Sequence, residues 1–311
     1  MTTVDNASGS PPVTLLASNA ALWGGLGVLA FSFSLPATRL AVADLSPTVV
    51  GLGRALVAAA LAAALLKVTR ERVPDRRDLP RLLLTGVGVV IGFPLFSSMA
   101  LRELSSAHAS VIVGLLPAAT AAFAVARGGE RPGRGFWAAA AAGLAAVLAF
   151  AATQGAGGVA LADLYVLAAV ALCAFGYAEG GALSRRYGGW QVICWALVLT
   201  APALVPVVAI GIARDGLSAG ADAWLGFAYV SLFSMFLGFF AWYRGLALGG
   251  IARIGQIQLA QPVLTLVWAA LLLGEQVTTA TVATALAVLA CVALTQRARV
   301  SRPRMRPAAS P

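Results

Sequence analysis

Charge is scarce in this chain: 11% of its 311 residues are Asp, Glu, Lys or Arg, against roughly a quarter in ordinary soluble domains. It has one histidine and three cysteines. His108, with no Cys, Asp or Glu beside it in sequence, makes no metal site. Cys173, Cys194 and Cys291 have neither metal-ligand nor obvious disulfide spacing. A Ser/His dyad, clustered metal ligands and a pair of intramembrane carboxylates are all missing, which excludes intramembrane hydrolysis. No GxxxxGK[ST] loop occurs, so ATP does not drive the protein directly. The polarity alternation of a membrane β-barrel is absent too. No ring of charge or repeated filter motif marks a channel. No cofactor is expected.

What the chain does have is apolar length. It is 60% hydrophobic, with a mean hydropathy of +0.87. Ten segments are long enough to cross a hydrocarbon core of roughly 30 Å as helices: about 14–40, 47–67, 81–101, 106–126, 135–152, 161–183, 190–212, 222–244, 251–273 and 278–296. The basic region of a signal peptide is missing before the first, which is expected to stay in the membrane. The Thr/Ser/Pro/Gly stretch at 1–13 and the basic tail at 297–311 have nothing to bury and are expected to be disordered.

Leu101 to Glu130 returns without a gap as Leu246 to Glu275, an offset of 145 positions. Ala107 falls on Ala252, Pro117 on Pro262, Thr120 on Thr265, and Gly129-Glu130 on Gly274-Glu275. The chain is a duplication, with copies over 14–152 and 161–296. Arginines orient it. Basic residues cluster between spans two and three, four and five, six and seven, and after span ten, whereas only Arg39, Arg102 and Arg214 fall on the opposite face. Positive residues stay cytoplasmic, so both termini are expected inside, and the net charge of +10 is a topology signal rather than a sign of nucleic-acid binding. Five crossings per copy then invert one copy relative to the other. The expected fold is all-α, ten transmembrane helices in two inverted five-helix repeats.

Inverted repeats with prolines at matching mid-helix positions are a physical signature of secondary transporters. Pro117 and Pro262 each remove a helix hydrogen bond and serve as candidate hinges. With Trp23-Gly24-Gly25 in the first span, Arg54 in the second and the twice-occurring Leu, Ala, Pro, Gly-Glu pattern, the chain resembles the EamA-type, ten-helix branch of the drug/metabolite transporter superfamily. Within that branch it is most similar to aromatic amino-acid exporters. The resemblance implies export from the cytoplasm across the inner membrane, as a monomer, with amino acids as the partner molecules; other small metabolites and cationic drugs are the alternative substrates. The seventh span shows no counterpart to Arg54.

Polar residues inside spans are functional candidates. Gln258, Gln261 and Thr265 share a helical face, and Gln258 and Gln261 are candidate substrate contacts beside Trp23, Tyr177 and Trp242. Arg54 and Glu179 are candidates for a gate or ion pair, Glu179 being close in sequence to Arg185 and Arg186. Glu130 and Glu275 close helices at mirror positions. Tyr229, Phe233, Phe236, Phe240 and Tyr243 form a stripe that reads first as packing.

Overall fold

A computed structural model describes residues 13–128, 133–154, 159–250, 254–255 and 257–297. Both tails, Glu130 and Gln256 lie outside the described residues. Those described contain helices and no strand. Eight helices are long and apolar enough to span a membrane: α1 Asn19–Asp44, α2 Val49–Val68, α3 Leu79–Ala100, α4 Ser106–Ala126, α5 Arg134–Thr153, α6 Leu161–Tyr187, α7 Gly189–Asp215 and α8 Ala221–Gly249. Two shorter ones follow, α9 Ala260–Leu273 and α10 Thr279–Arg297. Leu225, Leu271, Ile210 and Leu286 are more than half exposed, a distribution that suits lipid and not water.

Packing follows the duplication. α1 lies against α8 and α9, and α6 lies against α3 and α4; α2 meets α7, α4 meets α9, and α5 meets α10. Exchanging the two halves of the chain maps this set of pairs onto itself. The α1/α8 and α3/α6 pairs use glycine for close approach: a Cβ on Gly27 would stand 2.9 Å from the backbone nitrogen of Trp242, and one on Gly176 would stand 3.1 Å from the carbonyl oxygen of Thr85. Small residues let helices touch where lipid supplies no hydrophobic drive for association.

Three helix breaks fall shortly ahead of a proline, whereas Pro202 and Pro206 lie inside the unbroken helix α7. α4 breaks at Gly114-Leu115, ahead of Pro117, and the helical turn leading into α9 breaks at Gln258-Leu259, ahead of Pro262. α1 has a turn at Phe33, ahead of Pro36, which leaves the Ser32 carbonyl without its helical donor. The Thr265 hydroxyl donates to that carbonyl at 2.8 Å, and Trp268 Nε1 donates to Ser32 Oγ at 3.0 Å. One proline in the first repeat is thus answered by a side chain of the second, Thr265.

Candidate functional site: a cavity between the repeats

Wide, π-helical turns open α2 at Val49–Gly53 and interrupt α3 at Val87–Gly92 and α8 at Val230–Leu237. Such turns cluster at functional sites because they re-aim side chains and loosen the backbone ladder. Here the cavity collects residues from or next to all three: Arg54 directly follows the first, Val89 lies in the second, and Ser234 and Met235 lie in the third. Phe31, Tyr177 and Phe239 supply aromatic wall, and Ser34 and Gln261 supply polar groups. α1 to α4 and α6, α8 and α9 all contribute, so both repeats build the site. The enclosed space is only about 20 Å³, room for roughly one water and far below the ~300 Å³ at which ligand pockets begin. The conformation is contracted around its centre.

The aromatic wall is continuous with the core. Phe31 meets Phe239 at 5.0 Å and Trp242 at 6.2 Å between ring centroids, and Tyr177 meets Trp242 at 5.4 Å. Ser34 and Ser234 hydroxyls lie 2.7 Å apart and tie α1 to α8. Arg54 is 1% exposed. Its Nη1 donates to Thr38 Oγ1 at 3.3 Å, and its Nε and Nη2 are buried without an acceptor. Gln258, Gln261 and Trp242 are likewise buried, with both amide atoms of Gln258, Oε1 of Gln261 and Nε1 of Trp242 lacking partners. Buried polar atoms are normally satisfied, so this concentration of open donors and acceptors is unusual.

Of the sequence-predicted residues, Tyr177, Gln261 and Arg54 line the cavity. Trp242 backs it through Tyr177 and Phe31, and Gln258 is buried one helical turn before Gln261. Trp23 points elsewhere: it is half-buried under the guanidinium of Arg244, 5.1 Å from its ring centre. Pro262 is buried at the second helix break, and Pro117 lies in the matching stretch of α4. Arg54 and Glu179 do not meet as an ion pair. Glu179 accepts from Arg81 Nε on α3 at 3.2 Å, and Arg186 instead binds Asp75 and, at 2.6 Å, Asp78. Tyr187 also donates to Asp78, at 2.6 Å. Cross-helix pairing therefore replaces the local pairing that proximity in sequence suggests.

At the opposite end of the bundle, Glu275 accepts from the Ser106 and Ala107 amides. Arg39 Nη1 donates to the carbonyls of Leu101 and Arg102. A basin of about 540 Å³ opens between these groups. His108 has a partner that its sequence neighbours did not suggest, Asp163 of α6, at 2.7 Å. No group of three metal-ligating side chains occurs among the described residues. The aromatic stripe of α8 divides: Tyr229 donates to the Ala30 carbonyl, whereas Phe233 is 48% exposed. Phe239, one position off that stripe, is the one that faces the cavity. Phe31, Ser34 and Ser234 were also missed; small hydroxyls inside apolar spans were the available signal.

A model of the EamA-like transporter family matches the chain twice, at residues 18–152 and 160–296. The chain belongs to this family. It is 52% identical over 274 residues to the uncharacterized transporter YdeK of Bacillus subtilis (strain 168), covering 88% of this chain and 96% of that one. A crystal structure with 20% identity has the same fold at a TM-score of 0.61, over 89% of this chain and 96% of the other. This EamA-like protein is thus a multi-pass membrane transporter of small molecules and not an enzyme.

Proposed function

We propose that the chain exports amino acids, aromatic ones among them, from the cytoplasm across the inner membrane by alternating access. Ten helices in two inverted repeats, both termini cytoplasmic, form one transporting unit within a single chain. The observation that carries this is the cavity built by both repeats, where rings of Phe31, Tyr177 and Phe239 stand beside polar groups of Arg54 and Gln261. A zwitterion leaving water needs partners for its charged ends, and its side chain needs apolar surface. The resemblance to the aromatic amino-acid exporter YddG supports the same substrates.

The contracted centre fits a cycle in which helices part on one side at a time. The helix breaks ahead of Pro117 and Pro262 supply matched flexible points, and the arginine-rich end is tied by Arg81–Glu179 and Arg186–Asp78 as the other end is tied by Glu275. Counterflow in proteoliposomes with labelled Phe, Trp, Met and Thr, beside a quaternary ammonium dye, tests the reading. Exchange of the large apolar amino acids is the expected result. Exchange of the dye alone would replace amino-acid export by cationic-drug export.

A further inference from the structure

We propose that Arg54 is the receptor for a substrate carboxylate, so that the cavity takes carboxylic acids with an apolar body, with or without an amino group, and rejects the corresponding amines. This rests on the cavity being the translocation site. Arg54 is 1% exposed, so it does not snorkel to a membrane surface. The two nitrogens without an acceptor, Nε and Nη2, share one edge of the planar guanidinium. That edge offers two parallel N–H donors at the spacing of a carboxylate's oxygens. A guanidinium keeps its proton, and an unpaired buried charge is strongly unfavourable. An anion arriving with the substrate supplies the partner.

The rest of the wall decides the sign of the ligand. Phe31, Tyr177 and Phe239 are aromatic, and Ser34, Ser234 and Gln261 are neutral; among the described residues no lining side chain is acidic. Three carboxylates elsewhere in the bundle are engaged, Glu179 by Arg81, Asp163 by His108 and Glu275 by backbone amides. A bare amine entering this space would add a second positive charge beside Arg54, whereas a carboxylate cancels the first. The ammonium of an amino acid finds a neutral acceptor in Gln261 Oε1, which is buried without a donor. That contact adds to binding but is not required for it.

Three probes with one phenyl ring separate the possibilities: 3-phenylpropionate, phenylalanine and phenethylamine. Each is added to the purified full chain in detergent, read as a shift in Tm, and to proteoliposomes as a competitor of labelled phenylalanine. The acid and the amino acid should raise Tm and compete, and the amine should do neither. Arg54→Gln should weaken the apparent affinity for 3-phenylpropionate on the order of tenfold to a hundredfold, and Arg54→Lys should restore part of it, keeping the charge without the fork. Should Arg54→Gln fail to fold, Arg54→Lys and the acid-against-amine comparison on the unmodified chain decide. Equal effects of phenethylamine and 3-phenylpropionate, no Tm shift with the acid, or unchanged affinity in Arg54→Gln would each overturn the assignment. If the acid binds through Arg54 while labelled phenylalanine is not exchanged, amino-acid export is excluded and the carboxylate receptor stands. If phenylalanine exchanges at the unmodified rate in Arg54→Gln, export stands and the receptor does not.

Discussion

Glu275, just past the end of α9, holds the first turn of α4 from 169 positions away: its two carboxylate oxygens accept from the backbone N–H of Ser106 at 2.9 Å and of Ala107 at 2.8 Å. The first amides of a helix have no partner within it, and the helix dipole favours a negative group there. One side chain of the second repeat thus completes a helix of the first.

Removing that carboxylate should loosen this end of the bundle. Side-chain caps contribute about 0.5–2 kcal/mol, so Glu275→Ala is expected to lower Tm. Glu275→Gln, which keeps one acceptor oxygen, should lower it less. A thermal melt of the purified protein in detergent compares the two, and an unmoved Tm in Glu275→Ala would show that the contact contributes nothing.

Arg81→Ala should destabilise the arginine-rich end. The Glu179 side chain is fully buried and that of Arg81 is 37% exposed. Breaking a fully buried pair costs about 3–5 kcal/mol; with Arg81 partly in solvent, screening reduces this to roughly 1–3 kcal/mol. Arg81→Ala combined with Glu179→Gln should recover part of the loss, because the buried negative charge is removed as well. Chemical or thermal unfolding of the three variants measures it.

Replacing Gln258 and Gln261 together by Leu should abolish phenylalanine counterflow without lowering the yield of folded, monodisperse protein. The side-chain amide of Gln258 and the side-chain Oε1 of Gln261 make no hydrogen bonds in the contracted state, so apolar groups of similar bulk are close to neutral for folding. Counterflow at the unmodified rate would assign both amides to packing.

Trp242→Ala is expected to reduce transport of phenylalanine more than that of threonine, and also to destabilise. Trp242 is 1% exposed and packed on Phe31 and Tyr177, where truncating a large aromatic costs about 3–5 kcal/mol. Measuring Tm beside the two transport rates separates lost packing from lost selectivity.

In a variant with its cysteines replaced, Ser218→Cys should react with an impermeant maleimide from outside the cell and Thr69→Cys only after the cytoplasmic face is opened. Both positions are exposed at opposite ends of the bundle. Labelling of both from one side would refute five crossings per repeat.

The class of the molecule was legible in one dimension, because membrane helices are declared by apolar length alone. The duplication was equally plain, and the breaks at Gly114-Leu115 and Gln258-Leu259 follow from Pro117 and Pro262 by a local rule. What lay beyond the sequence was direction. Helices surrounded by lipid are apolar on nearly every side and carry no amphipathic stripe to say which face looks inward. Only the packing of the two repeats therefore put Phe239 rather than Phe240 in the cavity wall, Trp23 under Arg244, and Glu179 against Arg81 instead of the arginines next to it in the chain. The open edge of Arg54 belongs to the same category, since whether an arginine finds an acceptor depends on neighbours brought to it by other helices.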